Sequence, residues 1–129
     1  MGKLEGKVCI ITGASSGIGK EIAQYFSAEG AKLILAARRL DKLEELANDL
    51  NKVNETTIVK TDVSEEEDII NLFEITKQKY SQLDIVVNNA GIFDGGSIES
   101  LSLETWSKTM TVNLTGVFLC TREAFKIMN

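Results

Sequence analysis

Histidine is absent from the 129-residue chain, and cysteine occurs only twice. Without an imidazole there is no Ser-His-Asp triad and no Cys-His pair, so hydrolysis by an imidazole-activated nucleophile is excluded. A pair of separated cysteines without histidine cannot complete a zinc site. Cys9, in a core strand, and Cys120, on an apolar helix face, read as buried thiols in a reducing compartment rather than as a disulfide. Long apolar runs are also missing, since none approaches the roughly 20 residues of a membrane span. The N-terminus shows no signal-peptide core, and Gly6 occupies the Ser/Thr position of a myristoylation signal, so no membrane partner and a cytoplasmic location are expected. A formal charge of -5 with no basic stripe argues against nucleic acid as a partner, while leaving room for an anion held by local arginines. Asn54-Glu55-Thr56 and Asn113-Leu114-Thr115 match glycosylation sequons, which in a cytoplasmic chain are read as chance.

What remains is ordinary globular composition, 43% hydrophobic and 26% charged, without repeats, linkers or low-complexity tracts. The length suits one domain with a core and is too short for two of ordinary size. The stretch that organises it is Thr12 to Gly19, TGASSGIG. Before it, Val8-Cys9-Ile10-Ile11 is a continuous apolar run, as expected of a strand buried on both faces of a parallel sheet. After it, Ile18, Ile22 and Phe26, joined by Ala23, repeat at helical spacing up to a stop at Gly30. The turn therefore presents a helix N-terminus, where free backbone N–H groups and the helix dipole favour a pyrophosphate. Gly13 permits the sharp exit from the strand, Gly17 lets the backbone approach phosphates, and Gly19 lets helix pack close on strand.

Ala31 to Ala37 predicts a second strand, ending in Arg38 and Arg39. A dinucleotide-binding unit specific for NAD would carry an acidic ribose ligand at about this point, and Ala37 cannot serve. The arginines fit instead the 2′-phosphate of NADP. Asp41 to about Val53 predicts a helix buried through Leu43, Leu46 and Leu50. Thr56 to Thr61 predicts a third strand, followed by Asp62-Val63. Ser64 and Glu67 have capping-box spacing at the start of a helix that runs to Tyr80 and buries Ile69, Leu72, Phe73 and Thr76. Leu83 to Val87 predicts a fourth strand, closed by Asn88-Asn89-Ala90-Gly91. The loop from Ile92 to Leu101 borders the expected substrate region. Ser102 caps a last helix running from about Leu103 to the chain end, in which Trp106, Met110, Val117, Cys120, Ala124 and Ile127 lie within roughly 60° of Asn113 at about 100° per residue. An amide within that stripe is either a bracket between helix and sheet or part of a polar site. Leu114, Phe118 and Phe125 form a second apolar arc.

This alternation predicts an α/β fold, a Rossmann-type doubly wound parallel sheet with strand order 3-2-1-4 between two helical layers. The glycine turn after Thr12, Arg38, Asn88 to Gly91, and Val112-Asn113-Leu114-x-Gly116 together resemble the short-chain dehydrogenase/reductase family, over essentially the whole chain. The resemblance implies NADP(H) as cofactor. It places Gly13, Ser15, Ser16, Gly17, Ile18 and Gly19 in the cofactor turn, with Ser15 and Arg38, joined by Arg39, at the 2′-phosphate. It places Asp62 and Val63 at the adenine, and Asn89, Ala90 and Gly91 beside the cofactor. Asn113 becomes the catalytic candidate, supporting a proton relay through a water, and the last helix is implied to pack on a second copy of the chain.

The family's Tyr-x-x-x-Lys pair, in which the lysine lowers the tyrosine pKa for proton exchange with a carbonyl or alcohol substrate, has no match here. Four residues beyond Tyr25 and Tyr80 stand Glu29 and Asp84. The family's catalytic serine belongs to a fifth strand beyond the last helix. Residues 1–129 are therefore expected to be the cofactor-binding part of an NADP(H)-dependent oxidoreductase, incomplete and inactive alone. A naturally short, non-catalytic NADP(H)-binding module acting with a partner chain is the alternative.

Overall fold

The computed structural model describes residues 2–128. The strands β1 (Val8–Thr12), β2 (Lys32–Ala37), β3 (Thr56–Lys60) and β4 (Ile85–Val87) form one sheet in the order β3-β2-β1-β4. All three ladders are parallel, with Ile10 opposite both Ile34 and Val86, and Leu35 opposite Ile58. The expected doubly wound sheet is therefore present. Its central strand is buried at every position, and its alternating side chains feed two separate cores. Val8 and Ile10 join Ile34, Ala36, Ile69, Leu72, Phe73, Cys120 and Ala124 on one face, whereas Cys9 and Ile11 join Leu33, Leu35, Ala23, Leu43 and Leu46 on the other. A strand that must satisfy two cores has no polar face, which is why its sequence shows no alternation.

The second face is covered by α1 (Gly17–Ala28) and α2 (Leu40–Leu50), and the first by α3 (Glu66–Tyr80) and α5 (Gly116–Ile127). Each fully buried leucine or isoleucine of β1 and β2 contributes about 1.5–3 kcal/mol by leaving water. Ile18, read from its spacing as part of the buried stripe of α1, is instead 72% exposed. It stands on the helix's first turn, where Gly19 is the residue that faces inward. The predicted capping box at Ser64 and Glu67 does not form. The Asp62 carboxylate accepts from the Ser64 amide and hydroxyl at 2.9 and 2.6 Å, and the Asp68 carboxylate accepts from the Asp62 amide at 2.9 Å. These bonds close the approach to α3, which starts at Glu66 with three acids in its first turn, favourable to the helix dipole.

The fourth strand is shorter than the predicted Leu83 to Val87, and its three residues are only half-buried because β1 is its one neighbour in the sheet. Its start is pinned by Asp84, whose carboxylate accepts from the Val8 amide at 2.8 Å. That bond holds the Asp84 carboxyl below its usual range.

The single last helix expected from Leu103 onward is three pieces: α4 (Leu103–Met110), a π turn (Thr111–Thr115) and α5. Threonine hydroxyls return hydrogen bonds to carbonyls four residues back, Thr109 to Thr105 and Thr111 to Ser107, both at 2.8 Å. Such bonds compete with the regular ladder and bend helices. The wider turn shifts the phase of every later helical residue. Val112, Gly116, Leu119, Cys120 and Ala124 face the core, whereas Asn113 is exposed and Trp106 is 50% exposed. The stripe centred on Asn113 is thus corrected. The second arc, Leu114, Phe118 and Phe125, is exposed throughout.

Both thiols are buried, and burial pushes each up to about 11. A raised thiol contributes stability that is fully present below the pKa of the unfolded chain and is lost as pH rises through about 11. At pH 8, labelling of Cys9 and Cys120 by an aromatic disulfide reagent is expected to proceed only as fast as unfolding. Stoichiometric labelling on mixing would contradict this packing.

Candidate functional site

Two chain reversals meet at the C-terminal end of the sheet. The first is the turn between β1 and α1, where Gly13 has φ +63 and Gly17 φ +55, values that favour glycine. The second is the exit from β4. Thr12 joins them. Its buried hydroxyl accepts from the Asn89 and Ala90 amides at 3.1 and 3.0 Å and donates to the Val87 carbonyl at 3.4 Å. The Asn89 side-chain amide then donates to the Gly13 carbonyl at 3.1 Å. A Cβ on Gly13 would lie 2.8 Å from the Ala90 Cα, and one on Gly19 would lie 2.3 Å from the Gly13 carbonyl oxygen. These two glycines are therefore required by the close approach of the two reversals.

Gly17 differs from both, because a Cβ there would meet nothing within 4 Å. It opens onto a cleft of about 640 Å³ lined by Gly13, Ser15, Ser16, Gly17, Arg38, Arg39, Asp62, Val63, Asn89, Ala90 and Gly91, among others. The structure thus gathers almost every cofactor residue expected from the sequence around one space. Ile18 and Gly19 are outside its lining, Ile18 pointing to solvent and Gly19 packed beneath the turn.

Asn113 also stands outside that lining, beside it. Its amide oxygen accepts from the Ile92 N–H at 2.8 Å and its amide nitrogen donates to the Ile92 carbonyl at 2.7 Å. It brackets the π turn to the segment leaving β4, the first of the two roles open to it in the sequence. Asn54, the other sequon asparagine, donates its side-chain amide to the Ala31 carbonyl at 2.9 Å.

The cleft sets a free helix start and four cations beside three acids. The first turn of α1 carries no acidic residue, and its Ser16 cap makes no side-chain hydrogen bond, so its first N–H groups are left to the cleft. The other helix starts are answered internally, by Asp41 in α2, by Glu66, Glu67 and Asp68 in α3, and by the Ser102 hydroxyl and Glu104 in α4. Arg38 and Arg39 add cations at the end of β2. Glu45, Asp49 and Asp62 are the acids of the lining, Asp62 just past the end of β3. Burial acts to raise the Asp62 carboxyl, but the two Ser64 hydrogen bonds and the Arg38 charge outweigh it and hold the group below its usual range. Val63 fixes the adjacent wall by packing on Gly116, where an added Cβ would lie 3.0 Å from the Val63 carbonyl oxygen.

Sequence reasoning missed Lys20, Gln24 and Lys42, which also line the cleft. No signal within one segment marked all three, because they line the cleft only where α1 and α2 lie side by side. Neither tyrosine lines the cleft. Tyr25 is 73% exposed on α1, and Tyr80, bonded to Glu55 and Thr57 at the opposite end of the sheet, is pushed up to about 12 by burial and the Glu55 hydrogen bond.

A bare helix N-terminus, a glycine turn open to a cleft and strand ends carrying small residues define a dinucleotide-binding unit of the doubly wound class. The comparisons specify the family. The short chain dehydrogenase model matches residues 7–129, and the chain belongs to that family, whose members are oxidoreductases using nicotinamide dinucleotides. An NADP-dependent (R)-specific alcohol dehydrogenase of Lentilactobacillus kefiri is 40% identical over 120 residues, 93% of this chain and 48% of that protein. A doubly substituted short-chain dehydrogenase/reductase of Serratia marcescens superposes with a TM-score of 0.92 at 30% identity, over 98% of this chain and 52% of the other. A short-chain type dehydrogenase/reductase from Mycobacterium marinum gives 0.91 at 32%, over 96% and 51%. The chain spans about half the length of these relatives. Among the described residues no helix is long and apolar enough to cross a membrane.

Replacing Thr12 by valine keeps the shape and removes the hydroxyl, leaving the half-buried Ala90 N–H without its partner. The expected loss is about 1–3 kcal/mol, read from urea unfolding, whereas Thr12→Ser should recover most of it. An unaffected valine variant would show that the bracket does not hold the two reversals together.

Proposed function

We propose that the chain is the cofactor-binding portion of an NADP(H)-dependent oxidoreductase that interconverts small carbonyl compounds and alcohols. The observation that carries this reading is the end of β2, where Ala37 offers no carboxylate to a ribose and Arg38 and Arg39 line the same cleft as the glycine turn. The named cofactor of the kefiri relative supports it.

On this reading the α1 N-terminus and the turn through Gly13, Ser15, Ser16 and Gly17 receive the pyrophosphate. The Arg38 guanidinium and the Ser15 hydroxyl bind the 2′-phosphate, and Asp62 with the Val63 amide borders the adenine. Ala90 and Gly91 flank the remaining length of the cofactor, and Asn113 keeps that wall in place through Ile92 while supporting the proton relay. The nicotinamide, when bound, supplies the hydride. The serine and the Tyr-x-x-x-Lys pair that exchange the substrate proton lie outside these residues, so the portion alone binds cofactor without turnover. The exposed apolar arc of α5 supports a second copy of the chain as its partner, and a cytoplasmic location completes the reading.

Arg38→Asp is expected to weaken NADPH binding by about tenfold or more, the scale of a lost charge-assisted phosphate contact. NADH binding should change by less than about twofold. Calorimetric titration of both cofactors checks this, and equal losses would refute the assignment of Arg38 to the 2′-phosphate.

A further inference from the structure

Four cations line the cleft, Lys20, Arg38, Arg39 and Lys42, and they are not equivalent. Arg39 is already engaged: its guanidinium donates to the Asp41 carboxylate at 3.3 Å. The bond keeps the Asp41 carboxyl below its usual range. Among the described residues, Lys20, Arg38 and Lys42 form no ion pair. Helical geometry gives the reason for the division. Lys42, Glu45, Leu46 and Asp49 form one face of α2 and line the cleft, whereas Asp41 lies outside that lining. The helix start thus draws Arg39 toward Asp41 while Arg38, on the strand side, and Lys42, one turn on, remain available.

Resting on the NADP(H) reading above, we propose that Asp41 sets the degree of cofactor discrimination by holding Arg39 in an ion pair, and that Lys42 joins Arg38 as the cations that receive the 2′-phosphate. Both members of the pair are largely exposed, with side chains 65% and 68% accessible. An exposed ion pair couples its partners by a factor of only about two to five. Asp41 therefore tunes the preference and does not abolish it. Lys42 presents a point charge on a flexible stem, suited to a phosphate dianion approached by the planar Arg38 from the other side.

The test uses two probes that differ by the phosphate alone, 2′,5′-ADP and 5′-AMP, titrated calorimetrically at low ionic strength, where exposed charges are least screened. Lys42→Met should weaken 2′,5′-ADP by about tenfold and leave 5′-AMP unchanged. Arg39→Met should alter neither by more than about twofold. Asp41→Asn should tighten 2′,5′-ADP by about threefold, and that gain should vanish when Arg39→Met is present as well. If Asp41→Asn gives the same gain in both backgrounds, Asp41 acts by its charge alone and the role of the pair is overturned. If Lys42→Met has no effect, or Arg39→Met costs as much as Arg38→Met, the division of the cations is overturned. Equal affinity of the unaltered protein for the two probes would overturn the NADP(H) reading itself, a different failure from the other two.

Discussion

The hydroxyl of Thr12 is the point on which the site depends. It ties the last residue of the central strand to the amides of Asn89 and Ala90, so two reversals that begin on neighbouring strands become one rigid rim. Beside it, Ala90 leaves no room for a side chain at Gly13, and the Gly13 carbonyl and Asn89 leave none at Gly19. The cleft lies where it does because this rim leaves the helix start facing outward and unfilled.

Charge then distinguishes this helix start from the rest. A folded domain ordinarily answers each helix N-terminus with its own acid or hydroxyl, and α2, α3 and α4 conform to that practice. In α1 neither an acid nor a hydroxyl does so. Arg38, Lys20 and Lys42 line the same cleft without an ion pair among the described residues, and Glu45, Asp49 and Asp62 line it with them. On the proposed reading, an anionic cofactor meets a deficit already present in the fold.

How far the sequence revealed this depended on the range of the forces involved. Strands β1 and β2 were legible because burial on both faces leaves an unbroken apolar run, and the glycine turn because positive φ and close contact both select glycine locally. The order of the sheet came from alternation and short connections. The last helix was read wrongly in phase. A constant angle per residue carries no warning of a π turn, and the threonine back-bonds that accompany it are ordinary in composition. Asn113 was placed in the core for that reason, although its bracket to Ile92 was among the roles open to it. Ile18 was misplaced because in the first turn of α1 it is Gly19 that faces inward, and apolar spacing does not register a glycine. The approach to α3 relied on Asp62 and Asp68, whose bonds span several residues and displaced the simpler Ser64 and Glu67 pattern. Lys20, Gln24 and Lys42 belong to the cleft only because two helices lie side by side, a relation no single segment carries.

The sheet order also governs when the cleft can exist. Val8 pairs with Lys32 across a short stretch, whereas its amide meets Asp84 across a separation of 76 residues. Closing the longer loop costs about 1 kcal/mol more in chain entropy than closing the shorter one. The Asn89 to Gly91 wall therefore belongs to the costlier of the two closures. A ligand that touched both walls would bind only the chain in which that closure is made, and its binding energy would stabilise it.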